Sequence, residues 1–515
     1  MLKFARIILP VFLFFFLLLS VLSIETTIDK SKIPRLKWMG PGYPGTYEEY
    51  LATSPGGPHY LREVKRSYKF MKDTSTERLR ILIFVNSTVY PGIAPKISRY
   101  AASLEDIGYE IKLYTSFGGT PEAVKSIIQN DSDNLLGCVF IGTLPAAWYE
   151  IPNDYESYGY AEFPCDLFFM DLDGKWEDTD VNGKYDIHQD GYGDRKPEIF
   201  IGRIDASQMP GNEIAILNAF FDKDNDYWTG NFALLRYGLT YTEDDWATYN
   251  DFRHDISFLY SNYEAVWAPS TNRDDYLNHR LKSPIYEFIQ LACHSSSSGH
   301  YFTRGGWLLS DTAKNAPPKG LGYNLFCCSS LRYTDPNYLG GAYIFNNGEK
   351  ALAVIGSTKT GSMLEFEYFY KPLGQNNPIG FAFNEWFEMI APYDKWDVYW
   401  HYGMTITGDP LLTFLGVIYP PQHFSGSKEI NRSLSQEENL IVLNWNANPK
   451  NQNLNITGYR IYQQIGSQFE YLADVSSGIT EYWHRNLDKN KIYTYAITAE
   501  NAEGAESLKV YTVIQ

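Results

Sequence analysis

Between residues 79 and 145, apolar runs alternate with amphipathic stretches. LRILIFVN (79–86), YEIKLYTS (109–116) and LLGCVFIGT (135–143) are short, apolar and rich in branched side chains, and they predict strands. APKISRYAASLEDIG (94–108) and PEAVKSIIQN (121–130), the second opened by Pro, predict helices. Such alternation builds right-handed crossovers and a mostly parallel sheet, an α/β fold. It continues through PEIFIGRI (197–204) and LLRYGLTYTEDDW (234–246, ending in acids) as strands, with NEIAILNAFFDKDNDYW (212–228) and WATYNDFRHDISFLY (246–260) as helices. ALAVIGSTKTGS (351–362) adds a strand and loop, and NPIGFAFNEWFEMI (377–390) is the last clear helix. After residue 416 helical periodicity disappears. NLIVLNWNA (439–447), ITGYRIYQQ (456–464), FEYLADV (469–475), EYWHRN (481–486), KIYTYAITAEN (491–501) and SLKVYTV (507–513) alternate as strands of an all-β, immunoglobulin-like sandwich.

Two of the apolar runs stop at a reactive side chain. Ile285–Cys293 ends at His294, and Leu325–Cys327 ends at Cys328, each followed by small polar residues. In open α/β sheets ligands bind beyond the carboxyl ends of the strands. Neighbouring strands ending in His and Cys therefore bring an imidazole and a thiol to one rim, the requirement for a histidine-assisted cysteine nucleophile. A lone Cys is more often a small buried hydrophobe, so the pair carries the reading. His300, after a Gly, competes with His294, which is preferred because it directly terminates its run. The Ser/Gly-rich HSSSSGHYF (294–302) suits a substrate wall whose backbone N–H groups serve an oxyanion hole. No third member of the site stands out. No turn carries a GxxxxGK[ST] phosphate cradle.

Residues 1–23 predict a secretory signal peptide. Lys3 and Arg6 precede the apolar run Ile7–Leu22, and Val21 and Ser23 fit the small-residue rule for cleavage. An uncleaved anchor is the runner-up. No second long apolar stretch follows, so no stable membrane insertion is expected after cleavage, and the chain is read as secreted or extracytoplasmic. A net charge of −17 argues against nucleic acid as a partner. The five cysteines (Cys138, Cys165, Cys293, Cys327 and Cys328) are odd in number, so at least one has no partner within the chain. Cys293 and Cys327 precede the two site residues and meet either as a disulfide or as packed thiols. Residues 24–78, centred on PRLKWMGPGYPGTYEEYLATSPGGPHYL (34–61), form a lead segment without strand–helix units, either a wrap or a short inhibitory strap.

Residues 166–194 are an acidic loop. Asp178-x-Asp180-x-Asn182-Gly183-Lys184-x-Asp186 matches the first part of an EF-hand-type loop, and Asp178, Asp180, Asn182, Lys184 and Asp186 are the candidate set for a structural Ca2+. Crowded carboxylates repel unless a hard cation neutralises them. The terminal bidentate Glu is replaced by Gln189, with Asp190 one place late. A solvated acidic loop, or a wall for a basic substrate side chain, is the alternative. No organic cofactor is expected.

The order strand–His, strand–Cys resembles the gingipain-type cysteine peptidases, which share a caspase-like α/β/α sandwich. CDLFFMDLDGKWED (165–178) with KPEIFIGRI (196–204) resembles the family's acidic loop and next strand. ALAVIGST (351–358) resembles its strand after the Cys, and TITGDPLLTF (405–414) its closing segment. The resemblance implies His294 and Cys328 as the catalytic pair, and favours a calcium near the site. Ser295 stands where the family usually has Gly, and Cys327 where it has a small residue. The last hundred residues resemble a fibronectin type III module, with Trp445 as its core Trp and Tyr459 on the following strand. The expected organisation is signal peptide 1–23, lead segment 24–78, peptidase-like domain 79–415, linker 416–426 and sandwich 427–515. The expected function is a secreted cysteine endopeptidase acting on protein or peptide substrates through an acyl-enzyme. A secreted binding or adhesion protein on an inactive peptidase-like scaffold is the rival, and a transpeptidase of the same chemistry the third reading. The sandwich serves as a spacer or as a dock to a cell surface or polymer.

Overall fold

The computed structural model describes residues 28–40, 42–54, 56–65, 78–232, 235–316, 318–346, 350–432, 437–452, 454–466 and 468–515; the expected signal peptide lies outside the described residues. An 11-stranded sheet is the frame. Its order across is Tyr60–Glu63, Glu110–Phe117, Arg80–Asn86, Leu135–Ile141, Phe200–Ile204, Met404–Gly408, Ala353–Ser357, Gly322–Phe326, Phe288–Ala292, Gly238–Thr242 and Tyr263–Trp267. Neighbours are parallel except the first pair and the pair Ala353–Ser357 with Met404–Gly408. That second antiparallel contact divides the sheet into two halves that run in opposite directions. The His and Cys runs lie side by side in one half, so their carboxyl ends share an edge.

Local chemistry explains the elements. The strands that carry the site are buried along their whole length, as parallel strands covered on both faces must be. Helix Pro121–Asn130 starts where the Thr120 side chain accepts the Ala123 N–H and Pro fills the first turn, and it buries Val124 and Ile128. Helix Glu213–Trp228 is capped by Asn212 and buries Leu217, Phe220, Phe221 and Trp228. The helix expected over 246–260 is instead broken into a short α-turn, Asp251–His254, and a 3-10 turn, Asp255–Phe258. Thr248, Tyr249, Asn250 and Asp251 are weak helix formers, and burial of Phe252 and Ile256 sets the path instead.

Three features differ from the sequence reading. The lead segment has regular elements: helix Tyr47–Thr53, closed by a Thr46/Glu49 capping box, and strand Tyr60–Glu63, which forms the antiparallel edge of the main sheet. A further helix, Lys395–His401, follows the one taken as last. The C-terminal unit packs a three-stranded sheet against a four-stranded one, and its first strand, Gln422–Arg432, begins inside the expected linker. Trp445 is buried there and packs on Tyr459 with ring centroids 5.4 Å apart. The unit docks on the α/β domain through Tyr419, whose hydroxyl donates to the Trp228 carbonyl at 2.7 Å. Among the described residues no helix is long and apolar enough to cross a membrane.

Candidate active site

Register brings the predicted pair together. Thr242, Ala292 and Phe326 are direct neighbours at the ends of three parallel strands, and the Cys293 N–H donates to the Phe326 carbonyl at 3.2 Å. The residues directly beyond these three positions are Glu243, Cys293 and Cys327, and one step further stand Asp244, His294 and Cys328. Asp245 is the partner that the sequence reading missed: His294 Nε2 lies 3.1 Å from Asp245 Oδ2. The signal was present, because Glu243-Asp244-Asp245 directly follows the neighbouring strand. Trp246 meets the imidazole edge-on at 5.0 Å.

The partners of His294 assign its tautomer. Nδ1 accepts the Lys37 backbone N–H at 3.2 Å, so Nε2 carries the proton and donates it to Asp245. Burial lowers the imidazole pKa below its ordinary value, and the Asp245 carboxylate opposes that shift. His294 is thus neutral, with its lone pair aimed at a backbone nitrogen lying across the rim.

Cys328 is fully buried. Its Sγ lies 3.0 Å from Thr360 Oγ1 and 3.7 Å from Ser329 Oγ, and its carbonyl accepts the Ser295 hydroxyl at 2.6 Å. Ser329 holds a left-handed backbone, φ 53°, immediately beyond the thiol. Burial pushes the thiol pKa up to about 11, against the downward pull of Thr360, Ser329 and Lys359. Both His294 nitrogens are engaged elsewhere, so the pair is adjacent but not hydrogen-bonded to each other.

The lead segment covers this rim. Trp38 forms a parallel β-bridge with Ser295, and the Met39 N–H donates to the Ser295 carbonyl at 2.9 Å. Trp246 Nε1 donates to the Pro34 carbonyl at 2.8 Å, and Leu36 is fully buried. Arg35 enters an aromatic cage: its guanidinium stands 5.4 Å from the Tyr155 ring, 5.7 Å from Tyr158 and 5.5 Å from Trp396. It also donates to the Tyr155 carbonyl and to Ser157 Oγ, both at 2.8 Å. Lys359 connects the cage to the thiol: its ammonium stands 4.9 Å from the Tyr155 ring and donates to the carbonyl of Thr360, whose hydroxyl contacts Cys328 Sγ. Lys30 anchors the segment's start on Asp397 at 2.5 Å and Glu365 at 3.0 Å.

The other candidates fall elsewhere. His300 is fully buried; Nδ1 lies 3.4 Å from Cys293 Sγ and Nε2 2.7 Å from the Tyr343 hydroxyl. Cys293 and Cys327 meet as free thiols with sulfurs 3.6 Å apart. In the acidic loop, Asp178 accepts the backbone N–H groups of Asn182 and Gly183, and Asn182 donates to Glu150 and Asp180. Asp186 accepts from Thr179, and the Lys184 ammonium sits between Glu150 at 3.2 Å and Glu162 at 2.8 Å. The five residues of the predicted calcium set thus bond both within the loop and to Glu150 and Glu162. The carboxylates that converge nearby are Asp171, Asp173 and Glu198, and burial beside the other two raises Glu198 to about 7.

No family model matches the chain, and no curated protein matches it. Among solved structures, one named "Structure of Protease" is 15% identical with a TM-score of 0.49, covering 85% of this chain and 97% of its own. A Fn3-like protein from Clostridium thermocellum is 19% identical with a TM-score of 0.15, covering 19% of this chain and 94% of its own. At such identities and scores neither likeness carries a family or an activity to this chain.

Proposed function

We propose that this chain is a cysteine endopeptidase kept latent by its own lead segment. The observation that carries the reading is the placement of His294 and Cys328 on adjacent strand ends under a β-paired peptide. In the open enzyme, Cys328 Sγ attacks the scissile carbonyl of a peptide laid along Ser295. His294 Nδ1, which now faces the Lys37 nitrogen, takes the thiol proton as Sγ attacks and passes it to the amine that leaves at that place. Asp245 holds the ring in the required tautomer. The acyl-enzyme is then released by water.

The Arg35 cage supports a basic side chain as the group recognised next to the cleaved bond. Aromatic faces and two oxygen acceptors attract a guanidinium, and the buried carboxylate close by, Asp154, is neutralised by Lys359 at 2.9 Å. Export rests on the pattern of residues 1–23, calcium on the acidic loop with Asp178, Asp180, Asn182, Lys184 and Asp186, and surface docking on the fibronectin type III-like C-terminal unit. All three belong to the proposal.

An electrophilic peptide probe with arginine at the reactive position tests it. The protein is the full chain and a strap-loosened variant, Arg35→Glu with Leu36→Asp. Covalent modification of Cys328 in the loosened chain, lost in His294→Ala, is expected. A folded, reduced, strap-loosened chain whose Cys328 ignores the probe would transfer the assignment to the binding-scaffold reading.

A further inference from the structure

Directly behind the rim lies a second cluster that the proposed reaction does not use. Cys293 Sγ, Cys327 Sγ and His300 Nδ1 all lie within 4.8 Å of one another, and all three side chains are completely buried. They come from three segments: the ends of the two site strands and the middle of the Gly299–Phe302 hairpin strand. We propose that these three atoms hold a structural zinc ion, loaded as the chain folds.

The spacing matches such a centre. With Zn–S near 2.3 Å and Zn–N near 2.0–2.1 Å, tetrahedral angles set S···S at about 3.8 Å and S···N at about 3.6 Å. The observed separations are 3.6 Å for Cys293 Sγ to Cys327 Sγ and 3.4 Å for Cys293 Sγ to His300 Nδ1. These two edges need to open by only about 0.2 Å to reach the metal-bound value. The Leu291 carbonyl oxygen, 3.8 Å from Cys327 Sγ, stands at ligand spacing from the same sulfur.

The outer contacts fit as well. His300 Nε2 pairs with the Tyr343 hydroxyl at 2.7 Å, and Tyr343 pairs with the Tyr276 hydroxyl at 3.0 Å. A proton on Nε2 leaves the Nδ1 lone pair facing the sulfurs, the arrangement a metal-bound imidazole requires. Charge balances too. Two thiols release two protons to water, and two thiolates with Zn2+ and a neutral imidazole make a neutral buried site. The ion would tie together the residues preceding His294 and Cys328, and so set the spacing of the rim. Only that consequence rests on the peptidase reading; the site itself does not.

The experiment is metal analysis of the full-length chain, unfolded with reductant and refolded with Zn2+ or with chelator. About one zinc per chain is expected in the wild type, retained through gel filtration. Cys327→Ala should lose it, Cys138→Ala should keep it, and His300→Cys should retain it through a third thiolate. Cobalt replacing zinc should give a thiolate-to-metal charge-transfer band that Cys327→Ala abolishes in chains shown to be folded by circular dichroism. Two results would overturn the proposal: refolded wild type without bound zinc and without the cobalt band, or a chain two mass units light with Cys293 and Cys327 joined.

Discussion

The rim pair and the cluster behind it are the same chemistry one residue apart. His294 and Cys328 follow Cys293 and Cys327 on the same two strands, yet the two sets have opposite surroundings. The inner set has its polar atoms engaged with one another and with Tyr343. In the outer set, His294 turns to an acid and to a peptide nitrogen, and Cys328 turns to a hydroxyl. Alternation along a strand separates a core-facing residue from one at the crevice, so a single residue step decides whether a thiol packs among the inner set or lies at the rim. Residue type alone does not distinguish the two sets; position relative to the strand end does.

The largest effect that sharpens this contrast is on turnover. In a strap-loosened chain, Cys328→Ala and His294→Ala should each lower peptide cleavage by at least about a thousandfold, because a nucleophile and its proton carrier act as one unit. Urea unfolding midpoints should stay close to the parent for both. His300→Ala should do the reverse at the level of stability. It removes a buried ring and one of the two partners of the Tyr343 hydroxyl, a cost of about 2–4 kcal/mol in urea unfolding. Equal losses of activity in His294→Ala and His300→Ala at full foldedness would erase the distinction.

The next effect is on pH. Cys328 is held at about 11 while the strap covers it, so alkylation by iodoacetamide should rise only in strongly alkaline solution. Loosening the strap admits water, and the alkylation midpoint should move down. The linked stability runs the same way: a thiol held above its unfolded value stabilises fully below that value, and the contribution is lost as pH rises toward 11. His294 runs oppositely. Its lowered pKa gives stability that is present above the unfolded value and lost as pH falls through the folded one. Asp245→Asn removes the interaction that raises the ring, so the acid limb of the pH–rate profile should move to lower pH, with about a tenfold loss in rate from the mispositioned ring. An unmoved acid limb would mean that Asp245 is a surface contact only.

Much of this arrangement was legible in the sequence. Apolar runs of strand length fix the parallel strands, and the abrupt stops at His294 and Cys328 mark the rim. Asp245 went unassigned because the order of strands across the sheet is not written in their order along the chain: Gly238–Thr242 borders Phe288–Ala292 only once a crossover is made. The lead segment hid its role for another reason. Its Pro and Gly residues break local periodicity, and its strand Tyr60–Glu63 takes its partner from residues 110–117. The calcium-loop reading rests on spacing along the chain; the contacts of Lys184 with Glu150 and Glu162 are made through the fold and are not written in that spacing. Loop chemistry set by contacts distant in sequence does not leave a periodic trace.

The smallest effect tests the strap itself. Lys37 and Met39 donate backbone hydrogen bonds to His294 Nδ1 and to the Ser295 carbonyl. Lys37→Pro removes the first donor while leaving the Arg35 cage and the buried Leu36 in place. A single lost hydrogen bond is worth about 1 kcal/mol, so probe labelling of Cys328 should accelerate about fivefold. His294 also regains a free lone pair, and the gain should therefore vanish in the background of His294→Ala. Acceleration that persists without His294 would mean that Lys37→Pro merely loosens the cover. No acceleration in either background would place the latch at Arg35 and Leu36, where the cage and the buried side chain hold the segment without help from the imidazole.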